Sequence, residues 1–306
     1  MTDGQPPGKD NNTALRTGVL AGITAYVFWG MFPLYLKAIS SVPALEILSH
    51  RILWSVPFAA ILLTFRKQWQ EVFGALRQSR VMMMLMLAAC AIAANWLIYV
   101  WAIQQDRILE ASLGYYVNPL IFVAAGVFIL GERLRPLQTG AITLAAIGVL
   151  ILTFGIGSFP WVAGALAVSF AAYGYIRKTT NVGALPGLFI EVLLLSPIAL
   201  FYLIWLISAG KAAFMSGNIQ LDGLLILAGP ATIFPLVLFA VSARRLTLTT
   251  LGIFQYIGPT IQLFVGLYFG ETFTIYHGIC FSLIWIALAA FTFDAFQHKR
   301  QTKQQP

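Results

Sequence analysis

The side chains with the most obvious chemistry are ionisable groups that stand inside long apolar stretches of the chain. Glu46, His50 and Arg51 lie in one such stretch, and Glu191 lies in another. A charged side chain at the centre of a membrane helix costs about 2.5 kcal/mol or more, so each group requires a partner or a function. Glu46 and His50 are spaced to share one helix face. Together with Arg51 they could face one cavity and take part in substrate binding or coupling. Alternatively, Arg51 reaches the membrane surface or bonds carbonyls at a helix end.

A second group of polar and aromatic residues surrounds two prolines. Asn118 precedes Pro119, and Gln255 stands one turn before Pro259. Because proline lacks an N–H group, it frees a carbonyl one turn upstream and can break or hinge a helix there. Such broken turns near the membrane midplane often bind substrate in inverted-repeat membrane proteins. The ring-bearing residues that we expect in this wall are Tyr115, Tyr116 and Tyr256. Trp29, in the middle of the first span, could stack on a planar or amphipathic substrate. The alternative for these aromatic and amide side chains is helix packing.

The sequence lacks the patterns that would indicate an enzyme or an ATP-driven pump. It contains no Walker A sequence, no Gly-x-Ser-x-Gly and no cluster of residues at metal-ligand spacing. Cys90 and Cys280 each stand in an apolar run without a Cys or His neighbour, which is typical of small buried side chains. We therefore expect no enzymatic activity, no cofactor, no metal site and no ATPase subunit.

Composition indicates that lipid surrounds most of the chain. Hydrophobic residues make up 59% and charged residues 10%, and the mean hydropathy is +0.82. Soluble domains carry about 25% charged residues. The net charge of +8 could suggest a nucleic-acid partner, but the charges are scattered singly and in pairs between apolar runs. We therefore exclude nucleic acid and attribute the basic excess to cytoplasmic loops.

The apolar stretches divide the chain into ten candidate membrane helices, since about 20 residues of helix cross a bilayer core. The predicted spans are 17–38, 46–65, 81–103, 109–131, 136–155, 159–176, 184–207, 222–243, 248–270 and 274–293.

The basic residues predict the orientation of these spans. If the N-terminus is cytoplasmic, nearly all Lys and Arg residues fall on the cytoplasmic side, as the positive-inside rule requires. The exceptions on the other side are Lys37, Arg107 and Lys211, and Arg51 stays within a span. Both termini are therefore predicted to be cytoplasmic, with a disordered tail at 1–16 and a second tail at 294–306.

The two halves of the chain resemble each other. Tyr-Val-Asn-Pro at 116–119 matches Tyr-Ile-Gly-Pro at 256–259, an offset of 140 residues. Each half holds five spans, and because five is odd the second half runs inverted through the membrane. Arg51 and Glu191 share the same offset. We hypothesise that both line the pathway and that Glu191 takes up a proton; alternatively, Glu191 belongs to an interhelical pair that holds the bundle.

Several segments carry a family resemblance. They include Glu-Ile-Leu-Ser-His-Arg at 46–51, Leu-Glu-Ala-Ser-Leu-Gly-Tyr-Tyr at 109–116 and Phe-Gln-Tyr-Ile-Gly-Pro at 254–259. Over about residues 17–294 the chain resembles the EamA transporters of the drug/metabolite transporter superfamily, and most closely the RarD-like permeases. The resemblance implies two EamA repeats, 17–155 and 156–293, in a bacterial inner membrane. It does not identify a substrate.

Together these features predict an all-α integral membrane protein of ten transmembrane helices, built from two five-helix repeats in inverted topology. We expect a secondary active transporter that moves a small metabolite or drug-like molecule by alternating access, with proton coupling as a hypothesis. The alternatives are a channel-like or scaffold membrane protein and an intramembrane enzyme. The expected partners are a small-molecule substrate and the lipid bilayer, and homodimer formation is left open.

Overall fold

The computed structural model describes residues 9–130, 136–243, 245–246, 250–251 and 254–302, and every regular element in these ranges is an α-helix. The helices are α1 (Lys9–Ala38), α2 (Ala44–Arg66), α3 (Trp69–Leu76), α4 (Ser79–Gln104), α5 (Ile108–Leu130), α6 (Pro136–Ile156), α7 (Trp161–Thr179), α8 (Ala184–Ser208), α9 (Ile219–Ala243), α10 (Ile257–Tyr268) and α11 (Ile275–Thr302).

The outer surface of the bundle is apolar. Large side chains such as Phe65, Phe154 and Phe201 are more than 70% exposed, which water would penalise and lipid does not. Within the described residues, seven helices are long and apolar enough to cross a membrane, namely α1, α2, α4, α6, α8, α9 and α11. The chain is therefore an all-α, multi-pass membrane protein.

The predicted spans coincide with helices to within a few residues, with differences at three places. The predicted span at 248–270 contains a turn at Gln255–Tyr256, and α10 begins only at Ile257. At the N-terminus, α1 begins at Lys9, inside the segment predicted as a disordered tail, and residues 1–8 lie outside the described ranges. At the other end α11 runs to Thr302. Extending an existing helix adds one hydrogen bond per residue without a new nucleus, which favours both extensions.

The short helix α3 is a feature that the span analysis does not predict. Its 8 residues extend about 12 Å, too short to cross a bilayer. Val72 and Ala75 are buried where α3 packs on α4 and α8, whereas Phe73 is exposed. Such a short amphipathic segment gives no signal in a search for long apolar runs.

The helices pair in a regular pattern. The most extensive helix contacts between the two halves are α1 with α9 and α10, α2 with α8 and α9, α4 with α7 and α8, α5 with α7 and α10, and α6 with α11. This set of pairs is unchanged when α1, α2, α4, α5 and α6 are exchanged in order for α7, α8, α9, α10 and α11. The two halves therefore contact each other through equivalent helix faces.

Glycines allow the closest of these approaches. A Cβ atom on Gly229 of α9 would overlap the backbone of Trp54 in α2. Gly114 of α5 packs on the backbone of Ala163 in α7, where an added Cβ would stand 2.9 Å from the carbonyl oxygen. Small residues at helix crossings let backbones approach and gain dispersion energy that lipid cannot supply.

We expect Gly229→Ala to lower the thermal midpoint of the purified protein, because α2 and α9 must separate to admit the methyl group. Overpacking of this kind costs about 1–3 kcal/mol. The matched control is Gly223→Ala in the same helix, where an added Cβ meets nothing within 4 Å. Equal unfolding midpoints for the two variants in a thermal scan would contradict this packing.

Candidate functional site

A cavity of about 420 Å³ lies in the centre of the bundle, between the two halves. Pockets of about 300–1,000 Å³ hold drug-sized ligands in other proteins. Its polar and aromatic wall residues are Tyr26, Trp29, Phe32, Arg51, Arg66, Asn95, Trp96, Tyr99, Tyr115, Asn118, Phe170, Tyr173, Arg177, Thr232, Phe239, Gln255 and Gln262.

The two ends of the cavity differ. At one end it meets a buried apolar cluster from the second half of α1, the connection to α2 and the start of α2, which we call the closed end. The closed end consists of Phe32, Leu36, Ile39, Val42 and Ile47. At the other end the cavity reaches Arg66, a partly exposed residue at the C-terminus of α2, and Arg177, near the end of α7. We call this end the basic mouth.

Arg51 is a buried cation in the cavity wall. It is 5% exposed, and its Nε donates a hydrogen bond to Thr232 Oγ1 at 3.2 Å. The guanidinium group lies between two rings, 4.5 Å from the centre of Trp96 and 5.0 Å from that of Phe32. Its Nη1 is buried without a hydrogen-bond acceptor, and none of the ion pairs between described residues includes it. The cation is therefore stabilised by rings and a hydroxyl rather than by a counter-charge.

An amide network fixes the aromatic wall. Gln262 Nε2 donates to the Trp29 carbonyl and to the Tyr99 hydroxyl, both at 3.1 Å. The Tyr115 hydroxyl donates to Asn95 Oδ1 at 3.4 Å. These bonds tie the Tyr99 and Tyr115 rings and the backbone of Trp29 to neighbouring helices, which restricts this part of the wall before any ligand arrives. Trp29 and Tyr115, both predicted from the sequence, line the cavity.

Glu191 lies behind the wall rather than in it. Its Oε1 is 3.4 Å from Arg177 Nε, and its Oε2 accepts a hydrogen bond from the Tyr173 hydroxyl at 3.2 Å. Arg177 also donates to the carbonyl of Gly183 at 2.9 Å. Arg51 and Glu191 thus have different partners, and Arg51 lines the cavity whereas Glu191 does not. Tyr173 and Arg177 connect Glu191 to the cavity surface.

Glu46 and His50 face a connecting segment and are absent from the cavity wall. Glu46 Oε1 accepts hydrogen bonds from the backbone amides of Ala213 at 2.8 Å and Phe214 at 3.1 Å. The His50 ring lies 4.8 Å from the Phe214 ring, and its Nδ1 accepts from Trp54 Nε1 at 3.2 Å. These two residues therefore attach the segment that follows α8 to the first turns of α2.

Tyr116 and Tyr256 pack against each other outside the cavity wall. Their rings are stacked with centres 6.5 Å apart, and the Tyr116 hydroxyl is 2.6 Å from Thr260 Oγ1. The ring of Phe281 in α11 meets Tyr116 edge to face. The structure therefore separates them from Tyr115, which the sequence analysis groups with them.

The two prolines behave differently. The helix α5 runs through Pro119 without interruption, since one missing hydrogen bond can bend a helix without ending it. Pro259 is in the first turn of α10, directly after the turn at Gln255–Tyr256. Its carbonyl accepts a hydrogen bond from Ser112 Oγ at 2.8 Å. Asn118 and Gln255, which flank these prolines, both line the cavity.

Several carboxylates cap helices other than their own. Glu271 accepts from the amides of Ile108 at 2.5 Å and Leu109 at 2.8 Å, at the start of α5. Glu110 accepts from Val162 N at 2.8 Å, and Glu71 from Gly183 N at 2.6 Å. Burial raises the pKa of Glu271, and the two amides oppose that shift. These acids satisfy amides that the helices leave unpaired and complement the helix dipoles.

Sequence reasoning did not select several important wall residues. In the sequence Arg177 resembles a charged residue of a cytoplasmic loop. The one sequence signal for its ion pair with Glu191 is that both residues lie within about two turns of the α7–α8 connection. Thr232 and Trp96 give no signal of their own, because one hydroxyl or ring in a long apolar run is common.

Among the described residues, no three His, Cys, Asp or Glu side chains come together as a metal site.

Comparisons with known proteins agree with the resemblance seen in the sequence segments. Residues 16–154 match the EamA-like transporter family. The chain is 45% identical to an uncharacterized transporter of Vibrio cholerae, over 92% of the chain and 94% of that protein. It is 41% identical to the protein RarD of Escherichia coli, over 94% of the chain and 98% of that protein. A crystal structure at 18% identity shares the fold, with a TM-score of 0.60 over 90% of this chain and 96% of the other.

We expect Glu46→Ala to release the segment after α8, because two backbone amides lose their acceptor. The loss should destabilise the protein by about 2–3 kcal/mol and increase proteolysis within residues 209–218. Glu46→Gln is the matched comparison, since it keeps one oxygen as an acceptor and should lose less. Unchanged proteolysis and an unchanged thermal midpoint for Glu46→Ala would contradict the anchoring role.

Proposed function

The chain belongs to the EamA-like transporter family, alongside the RarD proteins, and from that premise we propose that it is a secondary transporter of a small organic molecule in the bacterial inner membrane. It works by alternating access, in which the central cavity faces each side of the membrane in turn. The family and the names of the relatives point to transport rather than to enzymatic activity.

The observation that carries this proposal is the difference between the two ends of the cavity. The closed end is sealed by buried apolar side chains, whereas the basic mouth extends to a partly exposed arginine. A cavity that is sealed on one side only is what a carrier requires in each of its two states, and a pore would be continuous. The positive-inside rule assigns the basic mouth to the cytoplasm, which makes this the inward-facing state.

The pairing of the helices supports ten spans in two inverted repeats. Without the short α3, the described ranges contain ten helices, and the most extensive contacts between the two halves are unchanged when the halves are exchanged. Five spans in each half bring the second half into the membrane from the opposite side. The same contacts can then form with the roles of the halves swapped, which opens the cavity to the other side at little energetic cost.

Proton coupling through Glu191 completes the proposal. Its carboxylate neutralises Arg177 at the basic mouth. Protonation of Glu191 would remove that neutralisation, so Arg177 would favour contact with water or a ligand over its buried position. The proton would thereby change the relative stability of the two states of the mouth.

The inverted arrangement is tested by single cysteines at positions 67 and 211, in a chain whose Cys90 and Cys280 are replaced. We expect Lys67→Cys to react with a membrane-impermeant thiol reagent only from the cytoplasmic side. Lys211→Cys should react only from the opposite side. Labelling of both positions from the same side would contradict the inverted topology and therefore the alternating-access proposal.

The coupling role of Glu191 is tested without a known substrate, by the labelling rate of a cysteine placed at Ala240 in the cavity wall. Because the thiolate fraction of any cysteine rises with pH, the rate is divided by that of an exposed cysteine at position 211 in the same background. We expect this ratio to change severalfold between pH 5 and pH 8, because protonation of Glu191 shifts the mouth between states. Glu191→Gln should remove the dependence on pH. Glu71→Gln, which alters a carboxylate outside the cavity wall, should retain it. A pH response that survives in Glu191→Gln would rule out this role.

A further inference from the structure

The charges of the cavity wall are all of one sign. Arg51, Arg66 and Arg177 line it, and no Asp or Glu is among the described wall residues. Glu191, directly behind the wall, pairs with Arg177. Arg66 is at the mouth and is partly exposed. This leaves Arg51 as the wall cation that combines deep burial with the lack of a carboxylate partner among the described residues.

The position of Arg51 sets the direction in which a ligand would enter. It lies within the second turn of α2, 15 residues before Arg66 in the same helix. That spacing corresponds to about 22 Å along the helix axis. Arg51 contacts Phe32, which belongs to the closed end. A ligand that enters through the basic mouth therefore meets Arg51 last, at the bottom of the cavity.

Cation–π contacts with Trp96 and Phe32 offset only part of the cost of burying this charge. A buried Nη1 that lacks an acceptor adds the cost of an unmade hydrogen bond. An anion would remove both costs at once. The flat guanidinium fork matches the geometry of a carboxylate, with which it can form two parallel hydrogen bonds.

The rest of the wall suits a flat, unsaturated body. Rings of Trp29, Tyr99, Tyr115, Phe170 and Tyr173 line the cavity, and the amide network fixes several of them. Fixed aromatic faces favour a planar partner by stacking and edge-to-face contact. Since the described wall offers no carboxylate, an ammonium group on the ligand would find no counter-charge there.

We infer that the cavity selects a carboxylate attached to a planar, unsaturated body, that Arg51 binds the carboxylate, and that zwitterions and cations of the same shape are excluded. This inference rests on the proposed transport function, because it assigns the substrate class of the same cavity.

The first test compares four ligands that share the indole ring and differ in charge, using the purified full-length protein, by calorimetry and by thermal stabilisation. Indole-3-acetate carries the carboxylate, indole-3-acetamide is neutral, tryptamine is a cation and tryptophan is a zwitterion. We expect indole-3-acetate to bind at least about tenfold more tightly than each of the others. Equal binding of the amide, tighter binding of tryptamine or tryptophan, or no binding of indole-3-acetate would overturn the inference.

The second test changes Arg51 itself. Arg51→Gln should weaken binding of indole-3-acetate by about 10- to 100-fold. The affinity of Arg51→Lys should fall between those of Arg51→Gln and the wild type, because lysine keeps the charge but lacks the planar guanidinium group that forms two parallel hydrogen bonds. Lys211→Gln removes an exposed charge outside the cavity wall and should bind as the wild type does. If Arg51→Gln does not fold, the reduced affinity of Arg51→Lys decides. Wild-type affinity in a folded Arg51 variant would overturn the assignment.

Counterflow of labelled indole-3-acetate in proteoliposomes separates failure of this inference from failure of the proposed function. If indole-3-acetate binds in a way that depends on Arg51 but shows no counterflow, the anion site is retained and the proposed transport function is wrong. If tryptamine shows counterflow at a rate equal to or above that of indole-3-acetate, the proposed transport function is retained and the inferred substrate class is wrong. Counterflow of indole-3-acetate that is lost in Arg51→Lys, or strongly reduced, supports both.

Discussion

Lipid offers neither hydrogen bonds nor counter-charges, and this constraint governs where every polar group of the bundle can lie. Most carboxylates in the described helices and their connections bind backbone amides of a neighbouring helix or segment. Glu46, Glu110 and Glu271 act in this way. Each such contact gives the acid hydrogen-bond donors and the amides an acceptor at once. Glu110 and Glu271 thereby fix how helix ends meet, and Glu46 fixes the connecting segment after α8.

The two buried arginines of the cavity wall differ in how their charge is compensated. Arg177 has its carboxylate in Glu191, and the pair links α7 to α8 beside the basic mouth. Arg51 has rings and a hydroxyl around it and a cavity in front of it. One arginine therefore completes a structural contact, while the other leaves a charge for an incoming molecule to neutralise. The difference between the two ends of the cavity relates this charge to the proposed transport, because in the state described a ligand reaches Arg51 through the basic mouth.

Hydropathy sufficed to predict where most of the long helices lie, because a segment of about 20 apolar residues has few alternatives to a helix in lipid. It did not predict α3, which is too short, nor the turn at Gln255–Tyr256. For the site, the sequence correctly selected polar and aromatic residues within spans, but it could not tell which way each helix is rotated. Tyr115 and Tyr116 illustrate this, since neighbouring residues on a helix point about 100° apart and only one of them lines the cavity. The pairing of Glu191 with Arg177 likewise depends on how α7 and α8 pack.

The most direct measurement of the central claim is the accessibility of a cysteine at position 231, in place of an alanine beside Thr232 in the cavity wall. A membrane-impermeant thiol reagent is applied to right-side-out and to inside-out vesicles, in a chain that lacks its two native cysteines. A cavity that opens to each side in turn should be labelled from both sides, and bound ligand should slow both reactions. Labelling from one side only, at every temperature and pH tested, would mean that the cavity is a fixed crypt and that alternating access is wrong.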